Sequence, residues 1–270
     1  MNLRPLGNSD IRVSPLGLGL VKIGRNQGID YPNYPDAFPL PSDKEVQRLL
    51  AKAAELGVNL LDSAPAYGSS EERLGSLMRD QITHHRSRWV LCSKAGEEFN
   101  NGQSRFDFGA AALTASIERS LTRLGTDYLD IALVHSNGDD EQILERYEPL
   151  QTLARLRDQG KIRAIGFSGK SLAGGRAALA QGAQVLMITL NSQQRDELPL
   201  LGEARTAGCG VLIKKALARG YGATSELANT ASLAGVSSII IGTLNPSHLA
   251  TNAALVNGEV NGDVTGDTGA

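Results

Sequence analysis

Four side chains in this sequence are suited to moving a proton at a carbonyl group: Asp62, Tyr67, Lys94 and His135. Asp62 and Tyr67 stand five residues apart in the stretch LDSAPAYG, where an apolar segment gives way to a Gly/Ser turn. A phenol with an ordinary pKa of about 10 is a poor proton donor near neutral pH. A neighbouring ammonium lowers that value, a carboxylate holds the ammonium in place, and an imidazole can orient the oxygen that receives the proton. Together such groups suit protonation of a carbonyl that is accepting a hydride. Singly, each has a plainer role: a turn acid, an amphipathic loop phenol, a snorkelling lysine, a packing histidine. Only convergence from separate elements would make a site.

The elements that must bring them together can be read in order. Leu3 to Val13 has the turn chemistry of a hairpin around Gly7 to Asp10, and Pro15 to Ile23 reads as a Gly-rich apolar strand. Gly24 to Pro41 is too rich in proline for regular structure, and a loop of this length is often functional. Ser42 with Glu45 spells a capping box, Val46, Leu49, Leu50 and Ala53 recur at helical spacing, and Gly57 ends that helix. Val58 to Leu61 is the next strand. Ser69 with Glu72 is expected to open a second capped helix running to Met78.

The alternation continues with strands predicted at 89–93, 128–134, 162–167, 185–190, 211–213 and 238–241. Helices are predicted at 109–124, 141–159, 171–181, 199–207, 225–233 and 246–255. Eight strands alternating with eight helices imply parallel pairing and a sheet buried on both faces. Eight units in about 250 residues favour a closed (β/α)8 barrel, the TIM-barrel architecture, over an open sheet. The expected organisation is one α/β barrel domain over 1–256 with an N-terminal β-hairpin, then a disordered Gly/Asn/Asp/Thr tail over 257–270. In such a barrel the loops at the C-terminal strand ends build the site. Asp62, Lys94 and His135 stand at the ends of three consecutive strands, and Tyr67 follows Asp62 in the loop.

The chain has 270 residues, 41% of them hydrophobic, and a formal charge of -2. Without a clustered Lys/Arg excess, nucleic acid is not an expected partner. No stretch approaches the roughly 20 apolar residues of a membrane span, and no signal peptide is read at the start. Cys92 and Cys209 are not spaced as a metal or redox pair, so free thiols, no metal and a cytoplasmic location are expected.

The sequence resembles the aldo-keto reductase family over nearly its whole length. LGNSDIRVSPLGLGL is similar to that family's hairpin and first strand, GVNLLDSAPAYG to its Asp and Tyr motif, and LDIALVHS to its fourth strand. GKIRAIGFS resembles the fifth strand, and IIIGTLNPSHLATN the last strand-helix unit. The resemblance implies NAD(P)H-dependent reduction of an aldehyde or ketone. Tyr67 would be the general acid, Lys94 and Asp62 its tuning pair, and His135 the group that orients the carbonyl.

The resemblance also places a nicotinamide cofactor across the barrel mouth. Gly19 and Leu20 would lie near the nicotinamide, Ser168, Gly169 and Asn191 near its carboxamide, and Lys214 beside the ring. Leu217, Arg219 and Gly220 would follow the pyrophosphate, and Gly242, Thr243, Asn245, His248 and Asn252 the adenosine end. Asn245-Pro246 also begins a helix, whose N-terminus favours phosphate. Several positions depart from the family pattern. Gly169 stands in place of Asn, Met187 in place of a carboxamide-binding Gln, and Lys214 in place of an aromatic residue that stacks on the ring. Leu244 stands where NADP-preferring members often carry Arg or Lys. The resemblance favours NADPH, with NADH as the alternative. Gly17, Gly19 and Gly24 lack the spacing of an open-sheet dinucleotide fingerprint.

The expected partner is a small-molecule carbonyl, with the chain a monomer or weak homo-oligomer. Tyr31, Tyr34 and Phe38 in the long first loop are expected to shape the substrate pocket, in preference to Trp89, which begins a strand. Alternatives are a sugar or aldose dehydrogenase running oxidatively, a Schiff-base aldolase using Lys94 or Lys214, and a non-catalytic nicotinamide-binding regulatory protein.

Overall fold

The computed structural model describes residues 1–28, 38–79, 86–218 and 225–259. The opening hairpin pairs β1 (Arg4–Pro5) antiparallel with β2 (Arg12–Val13). β3 (Leu16–Gly19), α1 (Val21–Gly24), α2 (Asp43–Glu55), β4 (Leu60–Asp62) and α3 (Ser70–Arg79) follow. Next come β5 (Val90–Ala95), a second hairpin of β6 (Glu97–Asn100) and β7 (Gln103–Phe106), α4 (Ala110–Leu124) and β8 (Leu129–His135). α5 (Asp140–Tyr147), α6 (Pro149–Asp158), β9 (Ile162–Ser168), α7 (Leu172–Ala180) and β10 (Val185–Thr189) continue the series. α8 (Leu200–Thr206), β11 (Gly210–Lys214), α9 (Ser225–Ser232), β12 (Val236–Ile241) and α10 (Pro246–Asn257) complete it.

Eight strands, β3, β4, β5, β8, β9, β10, β11 and β12, close in that order into a parallel barrel. Successive strand side chains point to opposite faces, so each strand divides its residues between two cores. Leu61, Leu91, Ala132, Val134, Ile165, Phe167, Leu186, Ile188, Val211 and Ile213 pack outward in the layer shared with the helices. Leu60, Val90, Cys92, Ile131, Leu133, Ala164, Met187 and Leu212 fill the interior. Leu6, Ile11 and Val13 of the hairpin region join that inner cluster and plug its N-terminal end. The interior is therefore packed, and the open end is the other one. Gly7, with φ +57°, allows the plug to seat: a Cβ there would come within 2.3 Å of the Gly208 carbonyl oxygen.

Local chemistry explains most helix ends. Ser42 and Glu45 form the capping box at the start of α2, with Val46, Leu49, Leu50 and Ala53 all buried. Each of the buried Val and Leu side chains contributes roughly 1.5–3 kcal/mol. Four expectations are corrected. The 15–23 stretch is a strand only to Gly19 and then turns into α1. Ser69 Oγ points back to the Gly24 carbonyl at 3.5 Å and Glu72 pairs with Arg123, so the box expected at α3 is not formed. The helix read over 141–159 breaks into α5 and α6 at Glu148, which takes φ +45°. Pro149 disfavours helical backbone in the residue before it and begins α6 at its first position. The tail begins later than expected, because α10 runs through Asn257 and ends on Gly258 at φ +72°. Positions 260–270, where disorder was expected, lie outside the described residues.

Candidate active site

The inward positions can be followed to the open end of the barrel. Beyond the last apolar interior layer, the next inward residue on each strand is Gly19, Asp62, Lys94, His135, Ser168, Thr189 and Lys214, with Gly242 just past β12. This ring forms the floor of the mouth. It gathers the expected acid, amine and imidazole together with four residues expected to face a cofactor. Thr189 is the addition. Met187, which sequence reasoning set against a cofactor amide, lies one layer lower and packs in the interior.

Lys94 Nζ donates to Asp62 Oδ1 at 2.6 Å, to the Ser63 carbonyl at 3.0 Å and to Tyr67 Oη at 3.1 Å. Asp62 Oδ2 accepts a longer contact from Tyr67 Oη at 3.5 Å. Lys94 and Asp62 expose only 1% and 4% of their side chains, so this is a buried ion pair with its donors satisfied. Burial is the largest single effect and works against the Lys94 charge, but Asp62, Tyr67 and Cys92 together outweigh it and hold the lysine above its ordinary pKa. The amine is thus an ammonium at neutral pH and not a Schiff-base nucleophile.

Tyr67 ends a short 3-10 turn, Pro65–Tyr67, that follows β4. Close backbone packing fixes that turn. Gly68 sits at φ +61° against the Gly24 carbonyl, where a Cβ would stand 2.2 Å from the oxygen. Ser69 N donates to the same carbonyl at 3.1 Å. Arg25 donates to the Ala66 carbonyl at 3.0 Å and lies 3.6 Å above the Phe99 ring, tying the turn to β6.

His135 stands edge-on to Tyr67, with ring centroids 6.3 Å apart and planes at 87°. Its Nδ1 lies 3.0 Å from Glu97 Oε2, an ion-pair distance without the angle of a hydrogen bond. Burial, opposed by Glu97 and assisted by the Lys94 charge, keeps the imidazole below its ordinary pKa. The ring is therefore neutral near pH 7, and the carboxylate favours the tautomer with its proton on Nδ1. Sequence reasoning missed Glu97 because it sits in the exposed-looking stretch GEEFN and carries no motif.

Two groups of expected cofactor residues stand together. Ser168 and Gly169 are at the mouth, where Ser168 Oγ and the Gly169 carbonyl accept from Lys214 Nζ at 3.0 and 2.6 Å. Thr243 and Asn245 lead into α10, and His248 and Asn252 follow on its first two turns. Asn245 caps that helix by accepting from Ser247 N at 2.9 Å, and Thr243 Oγ1 accepts from Asn245 N at 3.1 Å. Asn252 Oδ1 and His248 Nδ1 are buried without a hydrogen-bond partner among the described residues. An unsatisfied buried polar atom is costly unless a ligand completes it, so this end fits a group rich in donors and acceptors such as adenosine.

Two further residues expected near the nicotinamide make other contacts in the fold. The Leu20 side chain is fully buried in the outer core and only its backbone reaches the rim. Asn191 ties its own loop to the next one, accepting from Gln193 N and Gln194 N and donating to the Lys215 carbonyl after β11, each at 2.9 Å. Leu217 packs partly buried against the outer core. Trp89 is buried in that core and does not line the mouth, while Phe38 is also largely buried. Arg219, Gly220, Tyr31 and Tyr34 lie outside the described residues. Among the described residues no helix is long and apolar enough to cross a membrane.

Comparison with known proteins agrees with this fold. A Pseudomonas aeruginosa protein assigned to the aldo-keto reductases has a crystal structure that superposes with a TM-score of 0.84 at 46% identity, over 94% of this chain and 93% of that one. An aldo-keto reductase from Bacillus halodurans shares the fold at 22% identity, with a TM-score of 0.79 over 95% of this chain and 91% of that one. L-galactose dehydrogenase of Arabidopsis thaliana is 34% identical over 64% of this chain and 50% of its own length. The NADH-specific methylglyoxal reductase of Escherichia coli is 30% identical over 60% of this chain and 50% of its own. The chain thus spans about half the length of the curated relatives it matches. Residues 15–195 match the aldo/keto reductase family as a whole, a span that includes all four residues Asp62, Tyr67, Lys94 and His135. With the closed barrel and the rim ring, that match makes this chain a member of the aldo/keto reductase family.

Proposed function

We propose that the protein reduces an aldehyde or ketone to the alcohol, using a nicotinamide cofactor, with Tyr67 as general acid. The observation that carries this reading is the buried Lys94 ammonium, 3.1 Å from Tyr67 Oη and 2.6 Å from Asp62. A cation at that distance favours the phenolate over the phenol, so Tyr67 gives up its proton more readily. The nicotinamide, when bound, supplies the hydride. Tyr67 Oη donates its proton to the substrate oxygen as the carbonyl carbon is reduced, and solvent returns a proton to the phenolate. Asp62 keeps Lys94 charged and in place through that cycle. His135 stands against Tyr67 and confines the substrate oxygen beside the phenol. Lys94 and Asp62 are buried in the mouth floor, where charges act more strongly than in water.

Replacing Tyr67 by Phe removes the proton and keeps the ring. Turnover is expected to fall by several orders of magnitude with cofactor affinity unchanged, and near-normal turnover would sink the assignment. Residues for the cofactor's outer end are Thr243, Asn245, His248 and Asn252. The family resemblance favours NADPH; the partly buried, apolar Leu244 at the expected 2′-phosphate position favours NADH. Parallel titrations with both cofactors decide between them.

A second reading is oxidation of a sugar hydroxyl at the same site, as the name of the Arabidopsis relative suggests. Glu97 favours it, because a proton held on His135 Nδ1 leaves Nε2 as an acceptor for a substrate hydroxyl. A panel of aldoses with oxidised cofactor, beside a panel of small carbonyls with reduced cofactor, distinguishes the two by which supports the faster turnover.

A further inference from the structure

The rim carries a second lysine that the chemistry above does not use. β11 is the fourth strand from β5 in either direction around the eight-stranded ring, so Lys214 faces Lys94 across the mouth. The two are held in opposite ways. Lys94 has a carboxylate at 2.6 Å, whereas among the described residues Lys214 Nζ donates to neutral oxygens alone, Ser168 Oγ and the Gly169 carbonyl. The acids that face it are engaged elsewhere. Glu197, in the loop after β10, accepts from Thr189 N, and Asp140 at the start of α5 accepts from Ser136, Ser171 and Lys170 N. Lys215, Lys94 and His135 are the other titratable groups that interact with it electrostatically. When protonated, Lys214 therefore places in the wall of the site a cation with no carboxylate bonded to it among the described residues.

We propose that Lys214 sets which redox form of the cofactor the barrel holds, its ammonium disfavouring the positively charged oxidised nicotinamide relative to the neutral reduced one. This rests on the preceding reading, which brings the nicotinamide into the mouth beside Tyr67. Like charges in a poorly solvated site repel far more strongly than in water, while a neutral ring feels no such repulsion. Hydride transfer converts the tolerated form into the disfavoured one. The product complex is thereby weakened, which promotes release of oxidised cofactor and biases the site towards reduction. Burial, with Lys215 and Lys94 adding like charge and Glu197 and Asp140 opposing, pushes the amine down to about 7. The preference is accordingly strong below neutrality and fades above it.

The test is calorimetric titration of the full-length protein with the reduced and oxidised forms of NADPH and of NADH, at about pH 6.5 and about pH 9, either side of that transition. For the wild type the ratio of oxidised to reduced Kd should be at least about tenfold larger at the lower pH, equivalent to ~1.4 kcal/mol. Lys214→Met should bind the two forms with a ratio that no longer changes with pH. Lys214→Arg, charged throughout, should keep the low-pH ratio at both values. A Lys214→Met variant with the wild-type pH dependence overturns the proposal. If Lys214→Met does not fold, an arginine variant that loses preference at about pH 9 as the wild type does has the same effect. Wild type that binds both forms with a constant ratio refutes the lysine role alone. Wild type that binds neither cofactor refutes the nicotinamide reading and the lysine role with it.

Discussion

The Asp62–Lys94 pair is both the electrostatic support of the proposed acid and a liability of the fold. Two charges exposed by only 4% and 1% are tolerable because each satisfies the other. Removing one partner leaves the other buried and uncompensated, at about 3–5 kcal/mol for pairs of this kind. Lys94→Met should therefore lower stability by about that much in chemical denaturation as well as abolishing turnover. The double variant with Asp62→Asn should recover much of the stability and none of the activity; a double variant no more stable than the single one would contradict the pairing. These residues were legible in the sequence because acid, phenol, amine and imidazole follow successive apolar runs. Glu97 and Thr189 were not, since neither belongs to a motif and both acquire meaning only from what the barrel sets beside them.

At the scale of elements, the Tyr67 turn is held by backbone contact with α1, and its tightest point is Gly24. A Cβ on Gly24 would stand 2.1 Å from Ser70 N. Gly24→Ala should push α1 away from the turn, costing about 1–3 kcal/mol as overpacking does, and reduce kcat through a displaced phenol. Unchanged stability and kcat would show that the turn does not depend on this contact. The break at Glu148 offers the opposite test. Its φ of +45° is strained for a residue with a Cβ, so Glu148→Gly should be neutral or stabilising by up to about 1 kcal/mol. A loss of stability there would contradict the strain assignment. Strands and helices with clear apolar periods, such as β8 and α4, could be read directly. The β6–β7 hairpin could not: its residues are half-buried or exposed, and it lacks the apolar alternation that signals a strand. It nevertheless delivers Glu97 to His135.

For the molecule as a whole, the barrel was legible because eight apolar strand runs alternate with eight helical patterns, a consequence of a sheet buried on both faces. What sequence could not supply was the ionisation state of its buried lysines. Burial pushes Lys214 down to about 7 and Lys22 to about 8, from ordinary values of 10.5. Between about pH 7 and 9 the unfolded chain binds more protons at these lysines than the folded one, so stability should rise with pH over that range, until the Cys92 and Cys209 thiols, pushed above their ordinary 9 by burial, begin to oppose it. Lys214→Met should remove the larger part of that rise in denaturation midpoints, and a wild-type profile flat over this range would contradict the burial of these amines. The central claim concerns the proton, and one measurement addresses it most directly. Single-turnover oxidation of bound reduced nicotinamide by a carbonyl substrate can be followed at the nicotinamide absorbance for wild type and Tyr67→Phe. The account predicts that the variant binds cofactor normally and that its rate falls by three orders of magnitude or more, roughly the upper range of general acid catalysis. A variant that oxidises the cofactor within a few-fold of the wild-type rate would contradict it.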